Sequence, residues 1–158
     1  MSNGRRFSSR HVTSAPPASS YPRTMRDETM RWAKWILPAL LALNGVVMML
    51  APAWWYPRVP GVIETGALNE HFVRDIGAAF IACALAMSWA VRDPVRGLGA
   101  AVAAAAFLCL HATIHLITPF CGPKPWPLLA RDFPAVFLPA IISLLVVWSC
   151  VRRQKVKA

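Results

Sequence analysis

The feature that most constrains this chain of 158 residues is a set of long stretches that carry no charge. Residues 35–56, 98–118 and 133–151 contain no Asp, Glu, Lys or Arg, and residues 76–91 form a shorter uncharged run that helix from residue 72 onward extends. A bilayer core about 30 Å thick takes roughly 20 helical residues to cross. Backbone polar groups inside lipid must be satisfied internally, so uncharged runs of this length read as helices. With 56% apolar and 15% charged residues, the chain is too apolar for a soluble domain and too short for more than one compact unit. The expected fold is therefore all-α: an integral membrane four-helix bundle with spans about 35–56, 72–91, 98–118 and 133–151.

Basic residues set the orientation. Arg5, Arg6, Arg10, Arg23, Arg26, Arg31 and Lys34 precede the first span, Arg92 and Arg96 lie between the second and third, and Arg152, Arg153, Lys155 and Lys157 follow the fourth. The opposite side holds Arg58, Arg74, Lys124 and Arg131. This bias places both termini in the cytoplasm of a cell (plasma or inner) membrane protein. The net charge of +10 is then a topology signal with an attraction to anionic lipid. Nucleic-acid binding is set aside, since no folded basic domain exists to carry it.

Residues 1–31, rich in Ser, Pro and Arg, are expected to be a disordered basic cytoplasmic arm. The apolar run begins too late for a secretory signal, although the Arg and Ser content also resembles an organellar transit peptide. Residues 32–151 form the membrane domain, and 152–158 a basic cytoplasmic tail. In the first span, Asn44 is expected to hydrogen-bond a neighbouring helix. Asp132, before Phe133 and Pro134, reads as the N-cap of the fourth span, and Pro139 as a kink. The four cysteines are spread over different depths, with Cys121 alone on the outer side, so no disulfide is expected.

Outside the ends, most ionisable side chains fall between Pro60 and Gly77. Asn69 reads as a helix N-cap, with Glu70 in the first turn. His71 and Asp75 follow four residues apart on one face. Arg74 points away from Asp75, towards lipid head groups or Glu64. The second and third spans are rich in Gly and Ala, which lets helix backbones approach closely. They are joined by the short connection 92–97, so they should lie antiparallel and adjacent. Folding that hairpin about Pro94 and Val95 brings Asp75 level with Ile114, between His111 and His115. His71, Asp75, His111 and His115 are therefore expected to converge near the outer membrane face, with Asn69, Arg74 and Glu64 in support.

Ionisable groups within a membrane usually face a partner or a cavity. His and Asp bonded across two helices would simply pin their packing. Alternatively, His71, His111 and His115 are candidate metal ligands, or His71 and one third-span His could hold a haem from opposite sides. A quinone head-group site, with Asp75 orienting a histidine, is a further option. No phosphate loop or nucleophile elbow is present, and the reading leans away from an enzyme.

Pro60-Gly61-Val62, Thr65-Gly66, Asn69-x-His71-Phe72-x-Arg74-Asp75-Ile76-Gly77 and His111-x-x-x-His115 together resemble a group of small bacterial four-span membrane proteins of unknown function. That group is loosely similar to the DoxX-like superfamily. The likeness covers residues 32–151. Position 67 is Ala, where the pattern would carry Pro. The resemblance implies a four-helix membrane fold and, through some DoxX relatives, work beside quinone-linked oxidation of sulfur compounds.

Three functions are expected, in this order. The first is an accessory or partner-binding membrane subunit, held to a membrane-protein partner or as a homo-oligomer and carrying no cofactor. The second is a redox protein using the His/Asp cluster with metal, haem or quinone. The third is a transporter formed by several copies.

Overall fold

The computed structural model describes residues 25–122 and 125–157, with side chains for 33–122 and 125–155. The described residues form six α-helices: α1 (Met25–Leu50), α2 (Pro52–Trp55), α3 (Glu70–Arg92), α4 (Leu98–Ile117), α5 (Pro125–Asp132) and α6 (Leu138–Lys157). Short 3₁₀ turns cover Val62–Thr65 and Thr118–Cys121, and a π turn over Phe133–Phe137 joins α5 to α6. No strand occurs among the described residues. Among the described residues four stretches are long and apolar enough to cross a membrane: Ala33–Leu50, Glu70–Arg92, Leu98–Cys121 and Pro125–Lys155.

The boundaries differ from the expected ones for identifiable reasons. The arm expected over 1–31 lies outside the described residues as far as residue 24, and α1 begins at Met25. The first span does not run unbroken to residue 56. Pro52 has no N–H to continue the helix, Ala51 leaves helical geometry at φ −139°, and α2 restarts the chain with Pro52 in its first turn. The fourth span begins earlier than residue 133, because α5 continues through the π turn into α6. Pro134 and Pro139 both lack the donor for a regular ladder, and between them the Leu138 N–H reaches back to Phe133 O. The basic end over 152–157 is the last stretch of α6.

The helices pack in sequence, α1 on α3, α3 on α4 and α4 on α6, while α1 and α6 make only a small contact. Small residues permit this. A side-chain carbon on Gly45 would lie 2.6 Å from Gly77 O, and one on Gly77 would lie 2.9 Å from Gly45 O. The backbones of α1 and α3 therefore cross in direct contact. On α4 the buried positions are Ala101, Ala104, Ala105, Leu108 and Ala112, whereas Leu110, Ile114 and Ile117 are exposed. Exposed Leu40, Leu85 and Leu144 repeat that pattern on α1, α3 and α6. Large apolar side chains on the outer surface of all four long helices suit lipid rather than water as the surrounding solvent.

At one end of the bundle, a loop over residues 57–69 folds back over the helices. The Tyr56 hydroxyl, on a buried ring, donates to Gly66 O at 2.6 Å. Arg74 Nε donates to Met49 O at 3.2 Å, satisfying one of the last carbonyls of α1. Asn44 accepts from Trp55 Nε1 at 3.0 Å, so it braces the break between α1 and α2 rather than another span.

Candidate functional site

His71 and Asp75 do pair, at 3.5 Å and four residues apart on α3, but both side chains are exposed, 89% and 62%. The core stripe of α3 runs through Val73, Gly77, Phe80, Ala84 and Met87. Position 75 is about 200° round the helix from position 73 and position 71 about 160°, so both project opposite the core. Hairpin folding sets the depth of Asp75 but not its azimuth. The expected convergence of His71 and Asp75 with His111 and His115 is therefore corrected: the structure separates them into two groups.

The supporting residues also settle differently. Asn69 caps α3 as expected, its side-chain oxygen accepting from the Phe72 N–H at 3.1 Å. Arg74 pairs with Glu70 at 2.9 Å, one turn before it, and not with Glu64. Glu64 instead receives Arg131 Nη1 at both carboxylate oxygens, 3.2 and 3.0 Å.

A second, inward-facing group is built around Asp132. This carboxylate is buried, with its side chain 8% exposed. One oxygen accepts from Arg131 Nε at 3.0 Å and the other meets His115 Nδ1 at 2.8 Å. Asp132 makes no capping hydrogen bond, so its expected role as N-cap of the fourth span is corrected as well. With α5 running straight into the π turn, no helix starts there to be capped. Charge requires the arrangement: a buried carboxylate without partners would be costly, and here two donors hold it.

His115 belongs to the inner flank of α4, close to the stripe through Ala101, Ala105, Leu108 and Ala112. Its ring lies 4.7 Å from that of His111. His111 stacks on Phe107 at 6.2 Å, and the ring of Phe80 on α3 meets it edge-on at 5.8 Å. An ordered series results, from Glu64 through Arg131, Asp132 and His115 to His111 and its two phenyl rings. It ties the 57–69 loop, α5, α4 and α3 together.

Gly61 makes this docking possible. Its φ of +86° lies in the left-handed region, and a side chain there would collide with the Arg131 guanidinium.

A carboxylate can only accept, so this bond places a proton on Nδ1 of His115, and in the neutral ring Nε2 would then be an acceptor. Among the described residues no group of three or more His, Cys, Asp or Glu is arranged to hold a metal ion. With His71 on the far side of α3, neither a three-histidine metal set nor a pair of axial histidines for haem is assembled. From the sequence Asp132 reads only as a helix cap and Arg131 only as an outer-side cation, and neither they nor Phe80 and Phe107 are expected at the site. A signal existed for Asp132: folding the third and fourth spans about Cys121 and Gly122 puts it about one turn from His115.

Compared with protein-family models, curated proteins and solved structures, the chain matches none.

Proposed function

We propose that this chain is a small, non-catalytic protein of the cell inner membrane, with both termini cytoplasmic, acting as an accessory or partner-binding subunit. The observation that carries this reading is the one-sided packing of α1. This helix buries Leu37, Leu41 and Met48 in the core, largely against α3, yet has little contact with α6. It keeps a second stripe of Ile36, Leu40, Leu43 and Leu50 exposed. Such a helix is suited to meeting a second membrane protein. The paired charges of the Glu64–Arg131–Asp132–His115 series fit a structural clasp, since each group already holds another. Small bacterial four-span proteins related to DoxX remain the family to which we would assign the chain.

The test is affinity purification from native membranes in mild detergent. We expect a stoichiometric companion subunit that is lost when Leu40 and Leu43 are both replaced by Ala, with the helical content unchanged. A monodisperse, solitary species that turns over a substrate overturns the reading.

A second reading, favoured by the Asp132–His115 pair, is a quinone site in a redox protein. His115 Nε2 would accept from a quinol hydroxyl while Asp132 fixes the ring, next to the aromatic surface of His111, Phe107 and Phe80. Titration with a short-chain ubiquinone, compared between wild type and His111→Ala/His115→Ala, decides it. Unchanged quinone binding in the double variant ends that reading.

A further inference from the structure

We infer that the end of the bundle opposite the 57–69 loop is a binding collar for the phosphate group of anionic phospholipids. Among the described side chains, six exposed cations lie at this end: Lys34 on α1, Arg92 at the end of α3, Arg96 in the α3–α4 turn, and Arg152, Arg153 and Lys155 on α6. Two contacts draw these elements together. Arg92 lies over the Trp35 ring at 5.0 Å, joining α3 to α1, and Gln154 Nε2 donates to Val95 O at 3.1 Å, setting the basic end of α6 beside the turn that holds Arg96. Asp93 is the one acid with described side-chain contacts at this end, and it is already engaged. Its carboxylate accepts from the Val95 and Arg96 N–H groups and lies 3.8 Å from Arg96 Nε. No acidic partner is found for Lys34, Arg152, Arg153 or Lys155 among the described residues.

The tryptophans give the collar its depth. Arg152 stacks on the Trp148 ring at 3.7 Å, and Trp89 and Trp148 are each about half exposed. Indole rings favour the boundary between acyl chains and head groups. From Trp148 back to Trp126, at the other end of the fourth span, is a helical rise of about 33 Å, close to the thickness of a hydrocarbon core. Trp35, Trp89 and Trp148 thus mark one interface, and the cations sit at or just beyond it, where lipid phosphates lie. The Arg152 and Arg92 guanidinium carbons lie over indole rings, and a guanidinium presents a planar fork of N–H donors that matches a phosphate. Neutral zwitterionic lipid offers the same phosphate with a compensating cation, so an excess of positive charge selects the anionic class.

The test uses the purified full chain in neutral detergent micelles, titrated with short-chain phosphatidylglycerol, short-chain phosphatidylcholine or inorganic phosphate. Bound lipid is read by native mass spectrometry and thermal stability by tryptophan fluorescence. We expect retention of phosphatidylglycerol over phosphatidylcholine and a rise in melting temperature. Arg92→Gln/Arg152→Gln should weaken phosphatidylglycerol binding about twenty-fivefold, the product of roughly fivefold for each charge near an anionic surface. Arg58→Gln/Arg74→Gln removes the same charge from the other end and should leave that binding unchanged. Circular dichroism of both variants separates lost binding from lost folding. Equal weakening in the two variants would reduce the effect to net charge and overturn the collar. Binding of inorganic phosphate as tight as that of phosphatidylglycerol would assign the cations to a soluble anion, and overturn it too.

Discussion

Asp132 and Glu64 both hold Arg131, yet their environments make them unequal. Asp132 is buried and bonded to two partners, whereas the Glu64 side chain is 61% exposed. A hydrogen bond to a charged group contributes about 1.5–3 kcal/mol, and an exposed ion pair about 0.2–1 kcal/mol. Asp132→Ala is expected to lower stability by about 2–3 kcal/mol in a denaturant titration in micelles, and Glu64→Gln by less than about 1 kcal/mol. Equal effects would mean that the loop, not the buried carboxylate, organises this end. Gly61→Ala adds a left-handed residue that also strikes a flexible guanidinium, so Arg131 should yield before the fold does. The expected result is faster proteolysis within residues 57–69 while the helical content stays at the wild-type level. Much of this chemistry was hidden in the sequence. The level of His115 could be calculated, but a carboxylate 17 residues away becomes its partner only once α5 and the π turn are seen to be one continuous helix.

Among the elements, the crossing of α1 and α3 leaves little room for change. A methyl group at Gly45 would meet backbone of α3 at Gly77 and the Ile81 side chain, and backbone cannot swing aside as a side-chain tip can. Gly45→Ala should destabilise by about 1–3 kcal/mol through overpacking. Gly99→Ala, at a site with nothing within 4 Å, should be neutral or slightly stabilising because Ala favours helix. Thermal unfolding of the two variants side by side checks this, and equal melting temperatures would mean that α1 and α3 can separate freely. The richness of the second and third spans in small residues pointed to close helix approach. The second and third spans do pack side by side as α3 and α4, and the direct backbone contact of α1 with α3 at Gly45 and Gly77 is a further close approach that composition did not single out. The azimuth of His71 and Asp75 was legible, however. The Val73, Gly77, Phe80, Ala84 and Met87 stripe places both opposite the core, and apolar spacing on that helix outweighs depth as a guide to facing.

For the whole molecule, the proposed orientation puts exposed Cys121 on the outer side and buried Cys150 near the cytoplasmic end. A membrane-impermeant maleimide added to right-side-out vesicles is expected to label Cys121 and spare Cys150. Labelling of Cys121 in inside-out vesicles alone would invert the topology. Length and charge determined the four membrane-crossing helices, because lipid leaves a polar backbone no option but internal hydrogen bonding, and that rule acts locally along the chain. Local signals likewise determined the cap at Asn69 and the antiparallel α3–α4 hairpin. The His115–Asp132 and Glu64–Arg131 pairings were decided by the tertiary structure. Each pair joins separate elements, and contact between them depends on how each helix is rotated about its own axis. That rotation is set by packing against neighbours, with Gly45 on Gly77 and Gly61 under Arg131, which no single stretch of sequence contains.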